Sequence, residues 1–100
     1  MAEIVWSEPA LLDLDALADY IALENRSTAT ILVARVFKHI DQLADYPESG
    51  GLIPELNNPR YRQIVEPPCR IFYRFDGKNI FILHVMLTER LFRQSSLKRS

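Results

Sequence analysis

The apolar positions in the first half of the chain repeat with the spacing of two amphipathic helices. One set predicts a helix over about residues 8–24 with Ser7 as its N-cap: Leu14, Leu17, Ala18 and Ile21. A second set predicts a helix that is capped by Ser27 or Thr28 and ends before Pro47: Ala29, Val33, Val36, Ile40 and Leu43. Because only a few residues separate the two sets, we expect a helical hairpin.

The remaining apolar positions follow the two-residue period of strands. Residues 4–6 form a short β-prone run before the first helix, and residues 60–66, 70–75 and 79–86 predict three more strands. Asp76-Gly77 is a hairpin signal between the last two. An irregular connection is predicted over residues 46–59, and a short helix or tail over residues 87–100. The predicted fold class is α+β, with an N-terminal strand and an α-helical hairpin packed on a twisted antiparallel β-sheet.

The composition is that of one folded domain spanning residues 1–100. Hydrophobic residues make up 48% of the chain and charged residues 25%. No apolar run approaches the roughly 20 residues that cross a bilayer, and the start of the chain lacks the pattern of a signal peptide. We therefore expect a cytoplasmic protein with no membrane contact. The single cysteine, Cys69, predicts neither an internal disulfide nor cysteine chemistry.

Charge is divided unevenly along the chain, although the net charge is only -1. Residues 1–59 hold three basic groups against ten acidic ones, a balance of -7, and residues 60–100 hold nine basic groups against three acidic ones, a balance of +6. Such asymmetry suggests a basic surface that meets nucleic acid or an acidic protein. The alternative is that both halves mingle on one solvated surface.

The residue types of a hydrolytic or metal site are missing from the pattern. His84 lies in an apolar strand, where a histidine satisfied by packing and one hydrogen bond is expected, and His39 lies on a helix where it should be solvated. Asp13 and Asp15 are two residues apart on a helix, so they do not share a face. We expect no catalytic residue, no metal and no cofactor.

Arginines with interleaved tyrosines dominate the second half. Arginine binds phosphate or carboxylate through two parallel hydrogen bonds, and tyrosine offers a ring for stacking. The candidate target-binding residues are Arg60, Tyr61, Arg62, Arg70, Arg74, Arg90 and Arg93. They could hold RNA or the acidic surface of a protein. The alternative is that some of them pair with the acidic groups of the first half.

Several strings resemble the ParE/RelE toxin superfamily of type II toxin–antitoxin systems over about residues 4–91. They are Ile4-Val5-Trp6-Ser7, Asp13-Leu14, Asp19-Tyr20-Ile21, residues 43–47 before Glu48-Ser49-Gly50, Pro54-Glu55-Leu56, residues 60–62, Arg70-Ile71-Phe72-Tyr73-Arg74, and His84-Val85 with Arg90 beyond. The resemblance implies a helical hairpin packed on a twisted antiparallel sheet. It also implies a toxin that inhibits growth, stabilises a plasmid or chromosome, and is neutralised in a hetero-oligomer by a cognate antitoxin that wraps around it.

Two branches of the superfamily differ in their targets. RelE-like members cleave messenger RNA on the ribosome without metal, using basic residues on central strands and often a tyrosine or histidine near the C-terminus, whereas ParE-like members poison DNA gyrase. Here Arg62-Gln63 stands where ribonuclease members tend to carry lysines, and residues 91–96 contain neither tyrosine nor histidine. General acid–base help is worth about 10² to 10⁴-fold in rate. The resemblance therefore favours the ParE branch, with DNA gyrase as the target.

Two other functions stay open from the sequence. One is a ribosome-dependent mRNA interferase in which Arg62, Arg70 and Arg90 steer phosphate, and the other is an inactive toxin-fold protein that only binds antitoxin. Arg90 is expected beside Arg70 and Arg62, where it would matter more for toxicity than for folding. Cys69 departs from the family pattern, because many members have an aromatic residue at the position before Arg70-Ile71.

Overall fold

The computed structural model describes residues 1–88 and confirms the predicted fold class, two helices packed on a sheet. One element was not predicted, a two-residue strand inside the segment expected to be irregular. In chain order the elements are β1 (Glu3–Trp6), α1 (Glu8–Ala22), α2 (Arg26–Gln42), β2 (Gly51–Leu52), β3 (Tyr61–Glu66), β4 (Cys69–Phe75) and β5 (Asn79–Leu87). The helix or tail predicted over residues 87–100 lies outside the described residues, apart from Leu87, which ends β5, and Thr88, which follows it.

The helix starts follow from capping. Ser7 caps α1 as predicted, because its hydroxyl accepts a hydrogen bond from the Ala10 N–H at 3.2 Å. The cap of α2 is Asn25, so the prediction of Ser27 or Thr28 is wrong. Asn25 is extended, and its Oδ1 accepts from the Thr28 N–H at 3.0 Å. This bond satisfies a donor at the start of the helix that has no partner within it.

The five strands form a mixed sheet in the order β1-β5-β4-β3-β2. The four strands after the helices are antiparallel, whereas β1 runs parallel to β5, with Glu3 opposite Asn79 and Trp6 opposite Ile82. The predicted hairpin between the last two strands is confirmed. Gly77 supplies the left-handed conformation that its turn requires, with φ of 97°.

The two faces of the sheet pack against different parts of the chain. The face under the helices, here called the helix-side face, carries the large cluster, with Ile64, Ile71, Tyr73, Ile80 and Ile82 against the hairpin. The opposite face, here called the outer face, carries a small cluster. It consists of Phe72 with Ile53 and Leu56 from the connection before β3, flanked by Tyr61 and Met86.

Helix α1 covers the edge of β5 beyond the end of β1. The Asp13 carboxylate accepts from the Val85 N–H at 3.1 Å and contacts His84 Nδ1 at 3.1 Å. The Asp13 carboxylate therefore satisfies the strand edge at a point where no neighbouring strand remains. The interpretation of His84 as a packed, hydrogen-bonded histidine is confirmed, since 14% of its side chain is exposed. His39 is less solvated than expected, because its Nδ1 lies 3.3 Å from Glu66 Oε2.

Candidate target-binding surface

The alternation along β4 divides its side chains between the two faces. Ile71 and Tyr73 belong to the helix-side cluster, so Arg70, Phe72 and Arg74 lie on the outer face. Cross-strand pairing places Tyr61 of β3 beside Arg74. The outer face thus brings together three of the sequence-predicted residues, Tyr61, Arg70 and Arg74.

Arg74 lies between two aromatic side chains near one end of the outer face. Its Cζ is 4.6 Å from the centroid of the Phe81 ring, and Phe81 and Tyr61 are its partners on the two neighbouring strands. All three side chains are partly exposed. A cation held over a ring at an exposed site is stabilised by about 0.5–1 kcal/mol. Arg74 is therefore a positioned positive charge that an incoming ligand can reach.

Arg70 is engaged within the protein. It is only 7% exposed, and its Nη1 and Nη2 each donate to the Glu55 carboxylate at 2.8 Å. Its Nε donates to Gln63 Oε1 at 2.9 Å, and its Cζ lies 4.8 Å from the Phe72 ring centroid. Glu55 is one of the ten acidic groups of the first half, so for this arginine the structure favours the alternative of internal pairing.

Arg62 lies on the other face from Arg70. It pairs across the sheet with Tyr73, whereas Val65 is the partner of Arg70. Its Nη1 donates to the Gly50 carbonyl at 2.9 Å, so it fastens the segment before β2 to the helix-side face. The expectation that Arg62 projects beside Arg70 is wrong. The signal was in the sequence, because the period of two gives Arg62 the same face as the buried Ile64.

Tyr73 is one of the two tyrosines that the sequence places among the arginines, but it is fully buried, so it is a structural residue and offers no ring to a ligand. Its hydroxyl donates to the Pro47 carbonyl at 2.8 Å and accepts from the Gly50 N–H at 2.9 Å. A Cβ on Gly50 would lie 2.6 Å from that hydroxyl and 2.7 Å from the Gln63 carbonyl oxygen, so this close approach requires glycine. Burial raises the pKa of the Tyr73 phenol, and the hydrogen bond from Gly50 partly offsets this rise.

Three members of the predicted set remain, Arg60, Arg90 and Arg93. Arg60 is exposed immediately before β3, and its backbone N–H donates to Asn58 Oδ1 at 3.0 Å. Arg90 and Arg93 lie outside the described residues. Among residues 1–88, no group of three or more histidine, cysteine or carboxylate side chains could hold a metal ion. No helix in the same part of the chain is long and apolar enough to cross a membrane.

A family model covers almost the whole of the described fold. Residues 4–92 match the model of the ParE toxin of the type II toxin–antitoxin system parDE. The chain belongs to this family, and it is the toxin component of a toxin–antitoxin pair.

Individual relatives carry both branch names. The chain is 34% identical over 91 residues to Toxin RelE2 of Caulobacter vibrioides, covering 91% of this chain and all of that protein. It is 34% identical over 83 residues to the putative toxin Y4kP of Sinorhizobium fredii, covering 83% and 84% of the two chains. A solved structure of the chromosomal ParDE system from P. aeruginosa superposes with a TM-score of 0.73 at 28% identity, over 89% of this chain and 98% of that one.

Proposed function

We propose that this toxin arrests growth by binding DNA gyrase, that it does so without covalent chemistry of its own, and that a cognate antitoxin neutralises it. The observation that carries the proposal is the separation of the arginines. A ribonuclease of the RelE type would draw on Arg62, Arg70 and Arg90 together. Arg62 is turned to the helix-side face, and Arg70 is held by Glu55 on the outer face.

The proposed gyrase-binding surface is the end of the outer face at which Arg74 lies between Tyr61 and Phe81. Arg60 adjoins it at the start of β3, and Arg90 and Arg93 are added from the sequence alone. Aromatic and arginine side chains are enriched where binding energy is concentrated in interfaces. The surface suits a protein with acidic groups around an apolar depression, because Arg74 supplies charge and the rings supply apolar area.

The antitoxin is proposed to bind the toxin in a hetero-oligomer. Support comes from the family, whose members act as one half of a pair, and from the P. aeruginosa relative, which was solved as a ParDE system. The chain also exposes large apolar side chains on its first helix and just after it, with Leu12 at 60% and Leu23 at 83% exposed. Apolar area of this kind at the surface is typical of a protein that works with a partner.

The test compares gyrase with the ribosome directly. Purified toxin is added to gyrase with relaxed plasmid, and supercoiling and trapped DNA cleavage are measured with and without antitoxin. In parallel, toxin is induced in cells, and a DNA-damage reporter is compared with mapping of messenger RNA ends. We expect loss of supercoiling, a damage response and intact transcripts, all reversed by the antitoxin.

The second candidate is ribosome-dependent mRNA cleavage, which the name of the C. vibrioides relative favours. Transcripts cut within codons in the presence of ribosomes, with gyrase unaffected, would establish that function and remove the gyrase proposal. Normal growth on induction, with antitoxin still bound, would instead identify a toxin fold that has lost its activity.

A further inference from the structure

A concave basic surface lies on the second helix, on the opposite side of the molecule from Arg74. Its volume is about 350 Å³, and it is lined by Arg35, Lys38, His39 and Gln42 of α2 with Glu66 of β3. We call these residues the α2 basic pocket. It shares no residue with the proposed gyrase-binding surface.

Helical geometry explains why these side chains meet. Positions 35, 38, 39 and 42 are separated by three and four residues, so they follow one another along a single face of the helix. Arg35 and Lys38 are two of only three basic groups among the first 59 residues, the third being Arg26. In an otherwise acidic half of the chain, two of the three cations are therefore concentrated in one depression.

The pocket is arranged to leave its cations available. Arg35 and Lys38 are exposed. The one carboxylate in the lining, Glu66, lies 3.3 Å from His39 and holds that ring at the wall of the pocket. An arginine offers paired donors and a lysine offers a point charge, which is the combination that binds a phosphate group.

The lining favours nucleic acid over an acidic protein. Every residue in it is charged or polar, and no aromatic or aliphatic side chain offers the apolar anchor around which protein interfaces concentrate their energy. Contacts to backbone phosphate need only cationic and polar donors. We propose that the α2 basic pocket binds a backbone phosphate of duplex DNA. This inference rests on the proposed function, because gyrase acts on duplex DNA and a bound toxin lies next to it.

The experiment measures DNA binding without gyrase. Full-length toxin, freed of antitoxin, is titrated into a labelled DNA duplex over a range of salt concentrations. The test variant is Arg35→Gln with Lys38→Gln. The matched control is Arg26→Gln with Lys78→Gln, which removes the same charge from two exposed positions outside the pocket. Thermal midpoints of both variants show that they fold.

We expect the test variant to bind duplex DNA at least about tenfold more weakly than the control at low salt. A plot of the logarithm of the DNA-binding constant against the logarithm of salt concentration has a negative slope. For the test variant this slope should be shallower than for the control by about 2, close to one for each lost phosphate contact. The inference is overturned if the two variants bind alike, or if the parent does not bind the duplex. Stronger binding to single-stranded RNA, or a loss of antitoxin affinity with unchanged DNA binding, would also overturn it.

The gyrase assay keeps the two proposals separate. A parent toxin that binds DNA through the pocket but leaves supercoiling intact removes gyrase as the target and keeps the phosphate site. A parent that inhibits gyrase, with DNA binding equal in the two double variants, keeps the target and removes the site.

Discussion

The two faces of the sheet are stabilised in different ways. The helix-side cluster joins thirteen buried residues from both helices, β3, β4, β5 and the chain just after α2, and nearly all of its contacts are apolar. The outer cluster has three buried residues, Phe72 with Ile53 and Leu56, and a bidentate ion pair beside it. The stabilisation from apolar burial is roughly proportional to the area removed from water and does not depend on direction. The stabilisation from the ion pair depends on the distances and angles between its two groups.

This difference assigns separate tasks to the faces. The helix-side face buries thirteen residues against three on the outer face, so most of the hydrophobic stabilisation comes from it. Within residues 1–88, the outer face is covered at its centre by the connection that carries Glu55, and Arg74 and its aromatic neighbours stay partly exposed. A small domain thereby keeps one sheet face for stability and offers part of the other to a ligand.

The largest expected effect comes from matched truncations in the two clusters. Ile71→Ala and Ile53→Ala remove the same atoms from residues that are 0% and 1% exposed. We expect Ile71→Ala to lower the free energy of unfolding by about 4 kcal/mol and Ile53→Ala by about 2 kcal/mol. The irregular connection around Ile53 can move into the cavity that the truncation leaves, whereas the helices and strands packed around Ile71 cannot. Chemical denaturation measures both, and equal losses would contradict the comparison.

Breaking the ion pair of the outer face should cost about 3 kcal/mol. Arg70→Ala leaves the largely buried Glu55 carboxylate without its bidentate partner, which is more costly than the loss of the pair as a whole. The double variant Arg70→Met with Glu55→Leu should therefore regain most of the stability. Urea midpoints distinguish the cases, and a double variant less stable than Arg70→Ala would show that the charges themselves stabilise the face.

Removing one hydroxyl from the helix-side face should cost about 1–3 kcal/mol. Tyr73→Phe deprives the Gly50 N–H and the Pro47 carbonyl of their partner. Tyr20→Phe is the control, because Tyr20 is 66% exposed. The check is the thermal midpoint at neutral pH, where the two variants should differ clearly.

Tyr73→Phe should also change how the free energy of unfolding depends on pH in the alkaline range. Burial raises the pKa of Tyr73 above the ordinary tyrosine value of 10.0, so the stabilisation from its protonated hydroxyl is fully present below about pH 10 and is lost as pH rises through the folded pKa. The stability gap between the parent and Tyr73→Phe should therefore narrow above about pH 10. A gap that stays constant to higher pH would exclude this linkage.

The smallest effect on folding is expected at Arg74, where the effect on toxicity should be large. Arg74→Ala removes one cation–π contact of about 0.5–1 kcal/mol, whereas loss of a charge contact at an interface costs about 2 kcal/mol or more. Growth inhibition on induction should fall at least about tenfold with little change in thermal midpoint, and Arg26→Ala should change neither. Arg90→Ala is expected to behave like Arg74→Ala. Full toxicity of Arg74→Ala would remove the outer face from the proposed site.

The sequence predicted the helices and strands better than it predicted which strands pair in the sheet. Periodicity located both helices and four of the five strands, because the apolar face of each element repeats with the period of its own backbone. The parallel pairing of β1 with β5 left no such mark, since the partners are far apart in the chain. β2 was missed because two residues, both exposed, make no pattern.

The candidate site was predicted in residue types but not in arrangement. Tyr61 and Arg74 lie on one face, as their grouping predicted. Arg62 was wrongly grouped with Arg70, although the two-residue period of the strand gives it the face of the buried Ile64, which packs under the helices. The pairing of Arg70 with Glu55 could not be derived, because Glu55 lies in an irregular connection whose path depends on where Ile53 and Leu56 bury their side chains.

The parallel pair of β1 and β5 has a consequence for the nascent chain. The first strand has no neighbour until residues 79–82 have been synthesised, and Asp13 has no partner on the strand edge until residues 84 and 85 follow. Such distant contacts form after local ones, so during translation the helical hairpin and the local pairs of β2 with β3 and β3 with β4 can form before β5 joins the sheet. The toxin therefore cannot complete its sheet before residue 85 has been synthesised, and an antitoxin that recognises the folded surface binds only after that point.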